Sequence, residues 1–146
     1  MKQIDRNGLE VLDRAECIRL LGTVPLGRIG ITARSLPTIL PINFRVDGNR
    51  ILFRTGVGTK LDAVTRGTVV AFEADDIDPM YHSGWSVVVT GIAGEVDDPD
   101  DRATYTTPRW APGQSERLVQ VSIEEISGRR LDGFQLHSGW TLHDSA

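Results

Sequence analysis

The sequence predicts a mainly β fold with short helices, closed into a small barrel. Three observations carry this expectation. Six short runs alternate apolar and polar residues with period two. Asp47-Gly48 gives a good hairpin signal between two of them, and the helical patterns are few and short. The strand lengths do not suit a doubly wound parallel sheet; they suit a small barrel with helical plugs.

Residues 1–10 are polar and read as a loose leader. Asp13 then stands three residues before Glu16, the spacing of an N-cap with a reciprocal carboxylate. Cys17, Leu20, Leu21 and Val24 share one face, so 13–22 is predicted as an amphipathic helix, stopped by Gly22 and Pro25. Cys17 reads as a small buried apolar residue. The six strands follow: Arg28 to Thr32, Thr38 to Val46, Arg50 to Thr55, Thr68 to Ala74, Trp85 to Val96 and Leu118 to Ile126. Gly91 and Gly94 suggest a bulge or sharp bend in the longest run. Short helices are expected from Thr59 to about Arg66 and from near Asp98, with Pro99 at the first helical position. Thr106 to Ser115 reads as a loop. The tail 132–146 is either mobile or packs across a partner subunit.

At 146 residues the chain is expected to form one domain. The net charge is −4 and the pI is near 5.3, which argues against a generic nucleic-acid binder. A single cysteine excludes an internal disulfide and a multi-cysteine zinc site. No apolar run approaches the roughly 20 residues of a membrane span, and the polar N-terminus holds no signal-peptide core. The expectation is a cytoplasmic protein that binds neither membrane nor nucleic acid. Among 16 Lys and Arg residues only Lys2 and Lys60 are lysines, so Lys60 is the one lysine in the body of the chain.

Chemistry concentrates in Phe53-Arg54-Thr55-Gly56-Val57-Gly58-Thr59-Lys60, which reads strand, glycine loop, helix start. The glycines permit close backbone approach, Thr59 is the expected N-cap, and Lys60 opposes the helix dipole unless an anion binds beside it. One reading is a phosphate site; the other is a plain connection with an exposed lysine. The order Gly-Thr-Lys does not match a nucleotide P-loop. In Thr38-Ile39-Leu40-Pro41-Ile42-Asn43-Phe44, Pro41 suggests an edge or an opening ladder. Asn43 either faces solvent or offers its amide to a heteroaromatic ligand. Trp85 reads as an anchor, and Ser86 points to the opposite face. The three histidines do not cluster, so no metal site is expected, and no Gly-x-Ser-x-Gly elbow occurs. Asp75, Asp76 and Asp78 read as a solvated acidic loop. No side chain stands out as catalytic.

Together these segments resemble the pyridoxamine 5′-phosphate oxidase-like family of FMN-binding split-barrel flavoproteins. The carrying pieces are Val24-Pro25-Leu26-Gly27-Arg28-Ile29-Gly30, Pro41 to Gly48, Phe53 to Gly56 with Gly58 to Leu61, Gly84 to Gly91, and Trp110-Ala111-Pro112-Gly113. The chain looks closest to small members grouped with nitroimidazole-resistance proteins. The resemblance implies a six-stranded split barrel and a homodimer with FMN at the subunit interface. Lys60 and Thr59 would hold its phosphate, with Gly58 in the same loop. Pro41, Ile42, Asn43 and Phe44, with Phe53, Arg54 and Thr55, would line its ring and ribityl chain, largely through backbone groups, and Trp85 and Ser86 would approach from a neighbouring strand. It implies an oxidoreductase moving electrons from a reduced nicotinamide to a small acceptor. The chain lacks an arginine before Pro41 and beside Leu142-His143-Asp144, where the true oxidases grip their phosphates, so pyridoxamine phosphate oxidation itself is not expected. Relatives of the fold also bind a deazaflavin or haem, which leaves two alternatives: a cofactor carrier or sensor without turnover, with His82 or a tail histidine as haem ligand, or a deazaflavin-dependent reductase using Arg54 and Arg66.

Overall fold

The computed structural model of the chain describes residues 2–104 and 116–132. In chain order the elements are β1 (Gln3–Ile4), β2 (Glu10–Leu12), α1 (Arg14–Leu21), β3 (Leu26–Ala33), β4 (Leu36–Asn43), β5 (Arg45–Asp47) and β6 (Arg50–Gly56). Then come α2 (Lys60–Ala63), β7 (Thr68–Asp78), β8 (Ser83–Glu95), α3 (Pro99–Thr104), β9 (Glu116–Ser122) and β10 (Glu125–Leu131). Every ladder is antiparallel.

Six strands form the barrel wall in the order β4-β3-β7-β8-β9-β6. β5 continues β4 beyond Phe44 and pairs with the first residues of β6, from Asp47↔Arg50 to Arg45↔Leu52. Among the described residues, that edge of β6 has no ladder above Leu52, and β4 pairs only with β3. The wall is therefore closed at one end by β5 and split at the other, between β4 and the second half of β6.

Alternation decides what lies inside. Ile29, Ile31, Phe72, Val87, Val89, Val119 and Val121 point inward and are buried, as the period-two pattern requires. Phe44 meets Phe72 edge to face, with ring centroids 4.7 Å apart. Cys17, Leu20 and Leu21 of α1 join the same core. Asp13 caps α1 by accepting the Glu16 N–H at 2.9 Å. Burial pushes the Cys17 thiol up, in keeping with an inert core residue.

The structure corrects several expectations. Residues 2–10 are not a loose leader, because β1 pairs with β2, and β2 pairs with β10. The run 38–46 divides at Phe44 into β4 and β5. The run 118–126 divides at Ile123-Glu124 into β9 and β10, which take successive lengths of one edge of β8. β4 is not the hairpin partner of β6; it turns back on β3 through Arg34-Ser35, at φ of 53° and 65°. A two-residue turn with both residues left-handed usually carries Asn or Gly, so the sequence offered no signal. Asp75, Asp76 and Asp78 belong to β7 and pair with β8 rather than forming a loop. β7 and β8 keep one register from Thr68↔Ala93 to Asp78↔Ser83, so no bulge interrupts them. Gly91 serves close approach instead: a Cβ there would overlap the Ser122 carbonyl oxygen, where β8 passes from β10 to β9. The second helix is one turn long, shorter than expected.

Candidate functional site

The split in the wall is the candidate site. The two-residue turn makes Ala33–Leu36 the closing hydrogen-bonded pair, so alternate residues of β4 bond to β3. Residues 37, 39, 41 and 43 turn their main-chain groups to the open edge. Two of these are Pro37 and Pro41, which have no N–H. The edge thus offers carbonyls along its length and N–H donors only at Ile39 and Asn43. Pro41 marks an edge, as its place in the sequence suggested, and the prolines block another strand from adding there.

A groove of about 370 Å³ fills the split. Leu40, Pro41, Ile42 and Asn43 of β4 form one wall, Arg54, Thr55 and Gly56 of β6 the other, and Thr59, Lys60 and Leu61 one end. It lies within the ordinary size range of small-molecule sites and pairs an apolar floor with a few polar groups.

The polar end is built by a tight loop. Gly58 adopts φ of +83°, open to glycine and strained for other residues. Thr59 caps α2: its Oγ1 accepts the Asp62 N–H at 3.2 Å and donates to the Gly56 carbonyl at 2.7 Å. That oxygen also lies 3.1 Å from Thr55 Oγ1. The Gly58 N–H donates to Asp62 Oδ2 at 2.9 Å. Lys60 Nζ donates to Thr38 Oγ1 at 3.3 Å. Asp62 is 6% exposed and its Oδ1 lies 2.8 Å from Arg117 Nε of β9.

This geometry changes the phosphate argument. Asp62 already places a carboxylate in the first turn, and one turn of helix carries little dipole. Lys60 therefore needs no outside anion to satisfy the helix. The cationic side chains at the groove are Lys60 and, on the β6 wall, Arg54.

Of the residues singled out from sequence, the structure gathers Pro41, Ile42, Asn43, Arg54, Thr55, Thr59 and Lys60 around the groove. Gly58 shapes the loop beneath it. The side chains of Phe44 and Phe53 face the core, and Phe53 is fully buried. Trp85 sits in the core on β8, opposite Asp76 and Arg130, and neither it nor Ser86 lines the groove. His82 lies exposed in the β7–β8 connection, and Arg66 is exposed after α2. Leu40, Gly56 and Leu61 were not predicted, although each adjoins a residue that was. Residues 110–113 and the tail histidines lie outside the described residues.

The outer face beside the groove is apolar around a charged centre. Ile39 is 72% and Val69 69% exposed, with Val88 and Ile92 on the same face. Among them Arg28 Nη1 lies 3.0 Å from Glu73 Oε1 and 3.5 Å from Asp75 Oδ2. One guanidinium thus serves two carboxylates. Burial first, then the adjacent Asp75, push the Glu73 carboxyl up to about 7, against the pull of Arg28. Among the described residues no helix is long and apolar enough to cross a membrane.

Comparison with known proteins agrees with this architecture. A family model described as pyridoxamine 5′-phosphate oxidase matches residues 13–130. An uncharacterised protein of Mycobacterium tuberculosis, Rv0080, is 41% identical over 127 residues, 82% of this chain and 84% of that protein. The solved structure of an FAD-binding protein from Mycobacterium smegmatis is 38% identical, with a TM-score of 0.69 over 84% of this chain and 98% of that one. An FAD-binding protein from Mesorhizobium loti shares the fold at 21% identity, with a TM-score of 0.71 over 85% of this chain and 99% of that one.

Proposed function

Because the chain belongs to the pyridoxamine 5′-phosphate oxidase family, we propose that it is a flavoprotein that binds FMN in the groove between β4 and β6 and serves as an oxidoreductase. The observation that carries this reading is the open β4 edge. It sets the Asn43 N–H and the neighbouring carbonyls of β4 along an apolar slot, opposite Arg54 and Thr55. A flat heteroaromatic ring with both donors and acceptors on its rim fits such an edge. Lys60 and Thr59, at one end of that slot, are placed for a phosphate.

The residues present thus fit the cofactor. Pro41, Ile42 and Asn43 would line its ring with Arg54 and Thr55, and Lys60 would meet its phosphate with a charge-assisted hydrogen bond. A bound flavin supplies the hydride and electron chemistry, here from a reduced nicotinamide to a small acceptor. The chain's own part is to hold the ring, shield one face from water with Leu40, Ile42 and Leu61, and fix the phosphate. Among the described groove residues, none is a carboxylate or imidazole that could serve as a general acid or base.

FAD is a second reading, favoured by the 38%-identical relative whose structure is described as FAD-binding. FMN and FAD share the ring, the ribityl chain and the first phosphate, so both would use the same groove contacts. The haem alternative draws no support from the groove, whose described lining holds no histidine.

The proposed assembly is a homodimer. The outer face formed by Ile39, Val69, Val88 and Ile92 adjoins the groove through β4, and a second copy would cover it and narrow the slot. Exposed apolar faces of this kind mark interaction surfaces.

The test is the visible spectrum of purified protein, before and after adding FMN or FAD and desalting. A retained flavin spectrum is expected, with the flavin identified after extraction. Reduction by a nicotinamide under anaerobic mixing then tests the oxidoreductase reading. Protein that stays colourless after both flavins overturns the proposal.

A further inference from the structure

We infer that the buried Asp62–Arg117 ion pair is a positioning device for the phosphate end of the groove, Arg117 cancelling the charge of the carboxylate that fastens the Gly58–Thr59 loop. This inference rests on the flavin reading.

Asp62 does two things with its two oxygens. Oδ2 accepts the Gly58 N–H at 2.9 Å, and Oδ1 faces Arg117 Nε at 2.8 Å. Its own N–H is held by Thr59 Oγ1, so carboxylate and main chain together clamp the turn that carries Thr59 and Lys60. The side chains of Asp62 and Arg117 are 8% and 10% exposed. Arg117 reaches this place from β9, where it pairs with Thr55, whose hydroxyl lies 3.1 Å from that of Thr59. The pair therefore ties the loop to the barrel wall behind it.

A carboxylate is a costly choice for this task. It stands beneath the loop proposed to receive a phosphate, and two negative charges a few ångströms apart in a partly buried setting repel strongly. A neutral amide could accept the Gly58 N–H without that repulsion. The arrangement becomes intelligible once Arg117 is counted. Its guanidinium is buried, and its Nε, Nη1 and Nη2, like Asp62 Oδ1, make no hydrogen bond among the described residues, so the two side chains are held as an ion pair. A second carboxylate, Glu95, has its Oε2 3.7 Å from Nη1. Asp62, at 2.8 Å, thus lies nearer to the guanidinium than Glu95 does. Lys60, which faces Thr38 across the groove, keeps its charge for the ligand.

The test compares FMN with riboflavin, which carries the same ring and ribityl chain but no phosphate. Dissociation constants are measured by fluorescence quenching for the wild type, Arg117→Met, and the double variant Arg117→Met with Asp62→Asn. Arg117→Met is expected to weaken FMN about tenfold or more and riboflavin less than about twofold. The double variant, which has neither charge, is expected to bind FMN within about threefold of wild type. Riboflavin affinity reports in each case that the groove is intact. If Arg117→Met does not fold, the double variant still decides. An FMN-to-riboflavin affinity ratio that it lowers about tenfold or more overturns the inference. Equal loss of both flavins in Arg117→Met, or no change in either, overturns it as well, the first by showing a merely structural role. Wild-type protein that binds neither flavin overturns the flavin reading itself, which the variants leave untouched.

Discussion

Lys60 Nζ lies 3.3 Å from the Thr38 hydroxyl, so the loop before α2 and the edge strand β4 are joined by a hydrogen bond across the split in the barrel. The lysine is exposed and, among the described residues, makes no ion pair that would hold it back from a ligand. It can turn from Thr38 to a phosphate without leaving a buried group unsatisfied.

Lys60→Ala is therefore expected to weaken FMN by about tenfold to a hundredfold, the range of one charge-assisted contact worth roughly 1.5–3 kcal/mol. Thermal stability should hardly change, because a surface hydrogen bond contributes little. Titration with FMN, beside a melting curve of the apo-protein, checks both halves. Unaltered affinity would move the phosphate elsewhere.

The Glu73 carboxyl makes stability depend on pH near neutrality. Its folded value, about 7, lies above the usual 4.5, so the folded state holds its proton more tightly than the unfolded chain. Stability is full below about 4.5 and falls as pH rises towards 7. Glu73→Gln is expected to remove this slope and to gain about 1–2 kcal/mol at pH 8, allowing for partial solvent screening. Urea unfolding of both proteins at pH 5 and pH 8 measures it. Equal slopes in the two proteins would contradict it.

Glu16 works in the opposite direction. Hydrogen bonds from Arg19 at 2.5 Å and Arg130 at 2.7 Å hold its carboxyl down at about 2, below the usual 4.5. Its contribution is present above about 4.5 and is lost as pH falls towards 2. Glu16→Gln should flatten the acid limb of the melting temperature against pH and leave the neutral limb alone. An unchanged acid limb counts against the pairing of α1 with β10.

Gly91→Ala should be among the most damaging small substitutions. The added methyl meets backbone rather than a movable side chain, at the point where β8 changes partners. A cost of about 3 kcal/mol is expected, or a fall in melting temperature of roughly 6–12 °C. Gly94→Ala, with open space around it, is the control and should melt near wild type.

Ile39→Glu tests the proposed assembly. A charge in the middle of the outer apolar face should shift the protein from dimer to monomer in sedimentation. Wild-type protein that is already monomeric, or an Ile39→Glu dimer, would remove that face from consideration.

Most of the barrel was legible because its strands alternate cleanly. Ile29, Ile31, Phe72, Val87 and Val89 declare an inner face by spacing alone. The turn at Arg34-Ser35 was not legible, since neither residue advertises a left-handed backbone. Nor were β1 and β2, whose polar residues form strands only because β10 supplies a partner far along the chain. In the site, Pro41, Asn43, Thr59 and Lys60 stood out as residues at odds with their local pattern. Phe44 and Phe53 entered through the family resemblance, as main-chain lining, and the pleat turns their side chains to the core. The part played by Asp62 depends on Arg117, which no local pattern connects to it.

The pairing of β2 with β10 has a consequence for how the chain is made. Leu12 lies opposite Gly128 and Glu10 opposite Arg130, so the earliest strands wait for almost the last described one. The hairpins β3–β4 and β7–β8 can form from neighbouring sequence as synthesis proceeds. The N-terminal end cannot dock until the ribosome has released residues past Leu131. Closure of the molecule is thus a late event with a large loop to bring together, a slow step during which the apolar face of α1 is left uncovered. A nascent chain cut short before Glu125 would keep its hairpins yet leave both β2 and α1 without the strand that holds them.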